Sequence, residues 1–245
     1  MTWQAGDETG GTPVIDYTIA YDQGLGGDVS TFITLVSEVK VTSYTARGLT
    51  TGTTYRFMVL ARNAYGQSVY CTPVPILAAQ IPEAPISPQT EISGPNVVLS
   101  WTAPPTGGSP ITGYIVTIKT SDATSTFLTE LVHCDGASTA VRTSTTCTVP
   151  ILSLRSQPFN LPWGSSIQIQ VVAYNIYGNS VSSVIGNGAI ILTVPDAPTS
   201  LAENTSLRGV RQLSVTWSQG YAGGTPVIDY TISWAENMGT IQILA

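Results

Sequence analysis

The sequence predicts an all-β protein built of tandem β-sandwiches, and three observations carry that prediction. Apolar residues alternate with polar ones over short runs, the period of a strand with one buried face. Glycine, proline and asparagine turns separate these runs at close spacing, as in a sandwich. The same arrangement occurs three times in 245 residues.

The repeat is read most directly from its turn. Gly10-Gly11-Thr12-Pro13-Val14-Ile15-Asp16-Tyr17-Thr18-Ile19 recurs letter for letter from Gly223 to Ile232, with a weaker copy from Gly107 to Val116. Each copy follows a tryptophan: Trp3, Trp101 or Trp217. Around the tryptophans lie the alternating runs Val97, Leu99, Trp101 and Leu213, Val215, Trp217. After each turn comes another: Tyr17, Ile19, Tyr21; Tyr114, Val116, Ile118; Tyr230, Ile232, Trp234. A longer strand follows in the first two copies, through Tyr55, Phe57, Val59, Ala61 and through Ile167, Ile169, Val171, Ala173. Both end in turn chemistry, Asn63-Ala-Tyr-Gly66 and Asn175-Ile-Tyr-Gly178.

Composition agrees. There are 23 Gly and 16 Pro, residues poor in helix interiors, while abundant aromatic and β-branched residues argue against disorder. Only 10% of residues are charged, against about 25% in an average soluble protein. A net charge of −6 opposes nucleic acid as a partner and an anionic membrane surface. No run approaches the length of a membrane span, and Met1-Thr2-Trp3-Gln4 is not the start of a signal peptide.

The order of these motifs is specific. A proline-containing lead-in (Pro82-Glu-Ala-Pro85; Pro195-Asp-Ala-Pro198) precedes the tryptophan, and Gly-Gly-Thr/Ser-Pro-x-x-x-Tyr follows it. Then come Leu49-Thr-Thr-Gly-Thr-Thr-Tyr55 and Ala61-Arg-Asn63-x-x-Gly66. The whole chain resembles tandem fibronectin type III domains. That resemblance implies seven-stranded antiparallel sandwiches of immunoglobulin-like type, with Trp on strand B and the repeated Tyr on strand C. It makes Trp3, Tyr17, Tyr55, Trp101, Tyr114, Trp217 and Tyr230 core residues. Tyr55 stands where the family places a tyrosine that anchors its hydroxyl on upstream backbone. The second copy has Ile167 there, so its corner is expected to be held otherwise, with Trp163 a candidate.

The expected organisation is a module at 1–81 lacking strand A, a complete module at 82–193, and strands A to C of a third at 194–245. The Pro residues at Ile81-Pro82 and Val194-Pro195 suggest short, stiff joints. The chain reads as a window cut from a longer array, a native subunit then far exceeding 25.8 kDa. Donation of strand A near Thr199–Asn204 to the next copy is disfavoured, because it would expose Val215, Trp217, Ile232 and Trp234.

Catalytic and metal sites are not expected. The single histidine, His133, adjoins Cys134, but neighbours in a strand point to opposite faces. Asp16 and Asp229 recur, and inward-facing Tyr17 and Tyr230 predict that both face solvent. Asp7-Glu8 and Asp22 with Asp28 lack calcium-loop spacing. Gly24-Leu-Gly26-Gly27 has no helix after it to hold a phosphate. No cofactor is implied, and no Arg-Gly-Asp tripeptide is present. Cys134 and Cys147 flank residues 135–146 within one module and are expected to pair in an oxidising compartment; Cys71 is expected on the last strand of the first module. Asn204-Thr205-Ser206 is the N-glycosylation sequon, and the Thr/Ser runs are candidates for O-linked sugar, against the simpler reading of β-propensity and turn chemistry.

These features predict a non-catalytic rod of modules, extracellular or at the cell surface. It would be a filament or surface-coat subunit whose partners are other copies or neighbouring modules, with glycans as further partners. The alternatives are a ligand-binding adhesin or receptor ectodomain and spacer modules of a secreted enzyme. Near-identity of the first and third copies points to a two-module super-repeat, which favours the structural array.

Overall fold

A strand with one apolar face is stable only when a sheet and an opposing layer cover that face. The computed structural model, which describes residues 1–122, 126–235 and 242–244, shows how the period-two runs meet this requirement. In the first repeat β1 (Asp16–Tyr21), β2 (Ile33–Val39), β3 (Thr54–Asn63), β4 (Gly66–Gln67) and β5 (Val74–Leu77) form one antiparallel sheet. Its order is β2-β1-β3-β4, with β5 also on β3. The register sets Tyr17 opposite Ala61, Ile19 opposite Val59 and Tyr21 opposite Phe57, so the apolar sides share one face. The opposing layer is made by residues 1–3 and 42–44: Trp3 N–H donates to Thr42 O and Tyr44 N–H to Met1 O. Ile19, Tyr55 and Phe57 are buried between the layers, with Met1, Trp3, Leu35, Tyr44 and Leu49 against them.

The middle repeat closes more completely. Its strands are β6 (Ile86–Ser93), β7 (Asn96–Thr102), β8 (Gly113–Lys119), β9 (Phe127–Thr129), β10 (Thr146–Pro150), β11 (Ile169–Asn175) and β12 (Gly178–Asn179). One sheet runs β10-β7-β6 and the other β12-β11-β8-β9. Val97, Leu99, Val116, Ile118, Val149, Ile167, Ile169 and Val171 are fully or almost fully buried, with Trp101 and Tyr114 nearly so. The edge is sealed by close backbone approach. At Gly186 a Cβ would stand 2.2 Å from Pro88 O, and at Gly188 2.4 Å from Thr90 O. There the Thr90 hydroxyl accepts from Ala189 N–H and donates to Ile167 O.

Two short helices lie before and after β10: α1 (Thr139–Ser144) and α2 (Ile151–Arg155). The strand periodicity gave no sign of them. Ser138 caps α1, its hydroxyl accepting from Val141 N–H. α2 buries Leu154. The third repeat has two two-stranded sheets, β13 (Thr199–Glu203) with β14 (Val215–Ser218), and β15 (Ile232–Trp234) with β16 (Gln242–Leu244).

By contacts the chain divides into two units. One comprises Met1–Pro85, Ala103–Tyr114 and Val172–Ser182; the other comprises Ile86–Thr102, Ile115–Val171 and Ser183–Ala245.

Three expectations need correction. Asp16 does not face water: it is 3% exposed and lies under Arg62, because the outer face of this sheet is itself covered, with Ala20, Met58 and Leu60 also buried. Tyr230 is 40% exposed and Trp217 half-buried, so neither sits in a closed core. Their two short sheets leave an open cleft of about 240 Å³ lined by Leu201, Val215, Trp217, Tyr230 and Ile232. Cys71 lies between β4 and β5 rather than in a strand, though its N–H still donates to Val59 O.

Candidate functional site: the repeated glycine turn

The repeated Gly-Gly turn combines left-handed backbone with close approach to other main chain. Gly107 and Gly108 adopt left-handed φ values of 70° and 86°, and Gly223 and Gly224 of 74° and 95°. Such values favour glycine, but sterics add a second requirement. A Cβ on Gly107 would stand 2.4 Å from Ile81 O, and one on Gly223 2.2 Å from Thr193 O. A Cβ on Gly108 would meet Gly52 N at 2.5 Å, and one on Gly224 would meet Gly164 N at 2.4 Å. Each turn is pressed against the backbone of a linker and of the turn that precedes the long strand.

Both contacts use the same hydrogen bonds. Gln80 N–H donates to Gly107 O at 2.8 Å, and Thr193 N–H to Gly223 O at 2.9 Å. Glu83 N–H donates to Pro105 O at 3.1 Å, and Asp196 N–H to Tyr221 O at 2.8 Å. Behind them, Gly52 N–H donates to Ala78 O and Gly164 N–H to Ile191 O. At the first contact Asn175 Nδ2 also donates to Gln80 O at 2.8 Å and Thr106 O at 3.0 Å. All of these groups but the Asn175 amide are backbone.

The charged residues of the first repeat support its sheet. Arg62 Nε donates to Asp16 Oδ1 at 3.0 Å, and its Nη2 bonds the other oxygen. The Arg62 hydrogen bond and charge hold the Asp16 carboxyl below its ordinary value. Asp22 is 3% exposed. Burial alone would raise its carboxyl, but N–H groups of Arg56 and Gly24 and the Arg56 guanidinium outweigh that and lower it. Tyr55 makes the corner, its hydroxyl accepting from Thr50 N–H at 2.9 Å. Its counterpart Ile167 is fully buried. Trp163 has the Arg155 guanidinium 3.9 Å from its ring centre.

The remaining candidates fall into small local groups. Cys134 and Cys147 are joined as a disulfide, Cα atoms 5.2 Å apart, while Cys71 is free and exposed. His133 lies beside the buried Glu130, whose Oε2 accepts from the N–H groups of His133 and Cys134 at 2.8 Å. Asn204 is half-buried and accepts from the Ser206 hydroxyl. Trp3 meets the Tyr17 ring edge-on at 5.4 Å, as Trp217 meets Tyr230 at 5.3 Å. Among the described residues no three His, Cys, Asp or Glu side chains group as metal ligands, and no helix is long and apolar enough to cross a membrane.

A family model described as the fibronectin type III domain matches residues 1–76 and 84–186. A Kelch domain-containing protein, SSO1033 of Saccharolobus solfataricus, is 34% identical over 130 residues, half of this chain and 17% of that protein. The cell adhesion molecule Dscam1 of Drosophila melanogaster is 27% identical over 164 residues, 66% of this chain and 7% of that protein. The chain thus spans less than a fifth of either curated relative. Among solved structures, consecutive titin domains align with a TM-score of 0.41 at 25% identity, covering 71% of this chain and 54% of that one. The chicken CNTN1 FN1-FN3 domains align with a TM-score of 0.36 at 16% identity, covering 99% and 78%.

Proposed function

Because the chain belongs to the fibronectin type III family, we propose that it is a non-catalytic, extracellular or cell-surface structural array. Its modules would lie at 1–81, 82–193 and 194–245. The observation that carries this reading is the joint built twice from the same backbone hydrogen bonds. A joint that uses glycine and main chain to fix a linker serves an array whose modules must hold position. The Cys134–Cys147 bridge supports an oxidising compartment. Asn204 is proposed as a glycan acceptor, and neighbouring modules or other copies as partners.

The test is mechanical. The chain is held by its two ends and stretched in a single-molecule instrument. A structural array unfolds and refolds module by module, with no slack released before the first module opens. Early extension at low force, from linkers peeling off their glycine turns, would refute it.

A second reading, an adhesive ectodomain, is favoured by the similarity to Dscam1. Fold alone does not distinguish the two. Beads coated with the chain would cluster under the adhesive reading and stay dispersed under the structural one.

A further inference from the structure

The chain carries a third copy of the glycine turn, at Gly10-Gly11. We propose that this copy, with the Asn63–Gly66 turn beside it, is a seat that binds an extended linker of another module of this family, one with an apolar residue before proline. The evidence is the contrast between occupied and open copies. Gly10 and Gly11 have φ values of 68° and 81°, the left-handed backbone of the other two turns. Yet nothing lies within 4 Å of a Cβ placed on Gly11, and Gly10 meets only Asn63 Nδ2, at 3.3 Å. Gly107 and Gly223 are buried, whereas Gly10 is exposed.

The groups that hold a linker are already in place. Asn63 Nδ2 donates to Thr9 O at 2.8 Å, as Asn175 Nδ2 donates to Thr106 O. At the occupied copy the same amide also serves the linker carbonyl of Gln80. Asn63 Oδ1 meanwhile accepts from Tyr65 and Gly66 N–H, which fixes the amide with its nitrogen toward the glycine turn. Where Ile81 lies over Gly178 in the occupied copy, its Cγ2 is 3.2 Å from a Cβ placed there. Gly66 is the counterpart, with nothing within 4 Å. A cavity of about 310 Å³ opens here, lined by Thr9, Gly10, Val14, Asn63, Tyr65 and Gly66 among others. Tyr65 is 88% exposed, against 46% for its counterpart Tyr177.

The two occupied copies define the ligand. Each linker presents an N–H to the first glycine carbonyl, then an apolar residue before proline: Gln80-Ile81-Pro82 and Thr193-Val194-Pro195. The occupant is therefore a segment of that chemistry leaving the last strand of another module. This inference rests on the repeated geometry and stands apart from the choice between structural and adhesive roles.

The test titrates the full isotope-labelled chain with a synthetic peptide of residues 78–85, its ends blocked, and follows backbone amide resonances. The expected result is a saturable shift of Gly10, Gly11, Asn63 and Gly66 in the millimolar range, weak because the free peptide is flexible. Asn63→Asp keeps the oxygen that holds the turn and removes the amide donor, so it should weaken binding about tenfold. A peptide with Ile81→Asp should not bind. No saturable shift, or equal shifts from the Asp peptide, would overturn the proposal. The mechanical test of the array would be unaffected, since it concerns only the joints already formed.

Discussion

In the first sandwich a tyrosine hydroxyl pins the approach to the longest strand, whereas the middle sandwich places a fully buried isoleucine at the same position. The contrast extends outward. The first sandwich fastens its sheet with Asp16–Arg62 and Asp22–Arg56. The middle one ties the segment ahead of α1 to β10 with the Cys134–Cys147 bridge and covers its core with α2 and nearby buried Phe159 and Leu161. One fold is thus held by two chemistries. Hydrogen bonds and charge fasten the periphery of the first, and covalent closure with apolar filling that of the middle. They should answer differently to acid and to reductant.

The strongest way to separate them is to break one core. Trp101 is 4% exposed, and truncating a buried aromatic typically costs about 3–5 kcal/mol. Trp101→Ala should collapse the middle transition in calorimetry and leave the first in place. A middle transition lowered by under about 1 kcal/mol would remove Trp101 from the core. Next in size is the disulfide. Reducing it, or replacing both cysteines by alanine, should cost the middle sandwich about 3 kcal/mol in the chain-entropy picture. Peptide mapping without reductant should recover Cys134 linked to Cys147 and Cys71 as a thiol. A Cys71 linkage to either would contradict the comparison.

Smaller effects sharpen the first sandwich. Tyr55→Phe deletes the hydroxyl that accepts from Thr50 N–H, and should cost about 1 kcal/mol in the first transition alone. Acid should act in the same place. The folded-state carboxyls of Asp16 and Asp22 lie below their unfolded values. Their stabilisation is therefore complete above the ordinary carboxylate range. It is lost as pH falls below about 4 and through the lower, folded values. A pH series should show the first transition falling ahead of the middle one. The reverse order would mean that the ion pairs contribute nothing.

Much of this was legible in the sequence. Period-two alternation located β1, β3, β7, β8 and β11, and the repeated decapeptide marked the turns. The two helices escaped because each is five or six residues long, too short for a 3.6-residue period to show. Asp16 was misjudged because alternation assigns a residue to a face but not the cover over that face. Arg62, 46 positions away, supplies that cover. The glycine turns were visible as a motif, but their function was not. What distinguishes Gly107 from Gly10 is the backbone lying against it, a tertiary fact. The Tyr55 corner was the exception, since the family resemblance implied it and its partner lies only five residues upstream.

The joint has a genealogical consequence. Its two halves, a plug made of the Gly52 turn and the 78–83 linker and a socket made of the 105–108 turn, belong to successive repeats. The middle repeat carries both halves, the 105–108 socket at its head and, at its tail, the Gly164 turn with the 193–196 linker as plug. Copying a whole number of repeats in tandem, such as the two-repeat unit, therefore creates a matched pair of ends, with no compensating substitution in its neighbours. Because the bonds are nearly all main chain, side chains elsewhere can drift while glycine is retained at the contact. Such a chain can lengthen by recombination between its own repeats, and the identity of Gly10–Ile19 with Gly223–Ile232 is the trace that this history would leave.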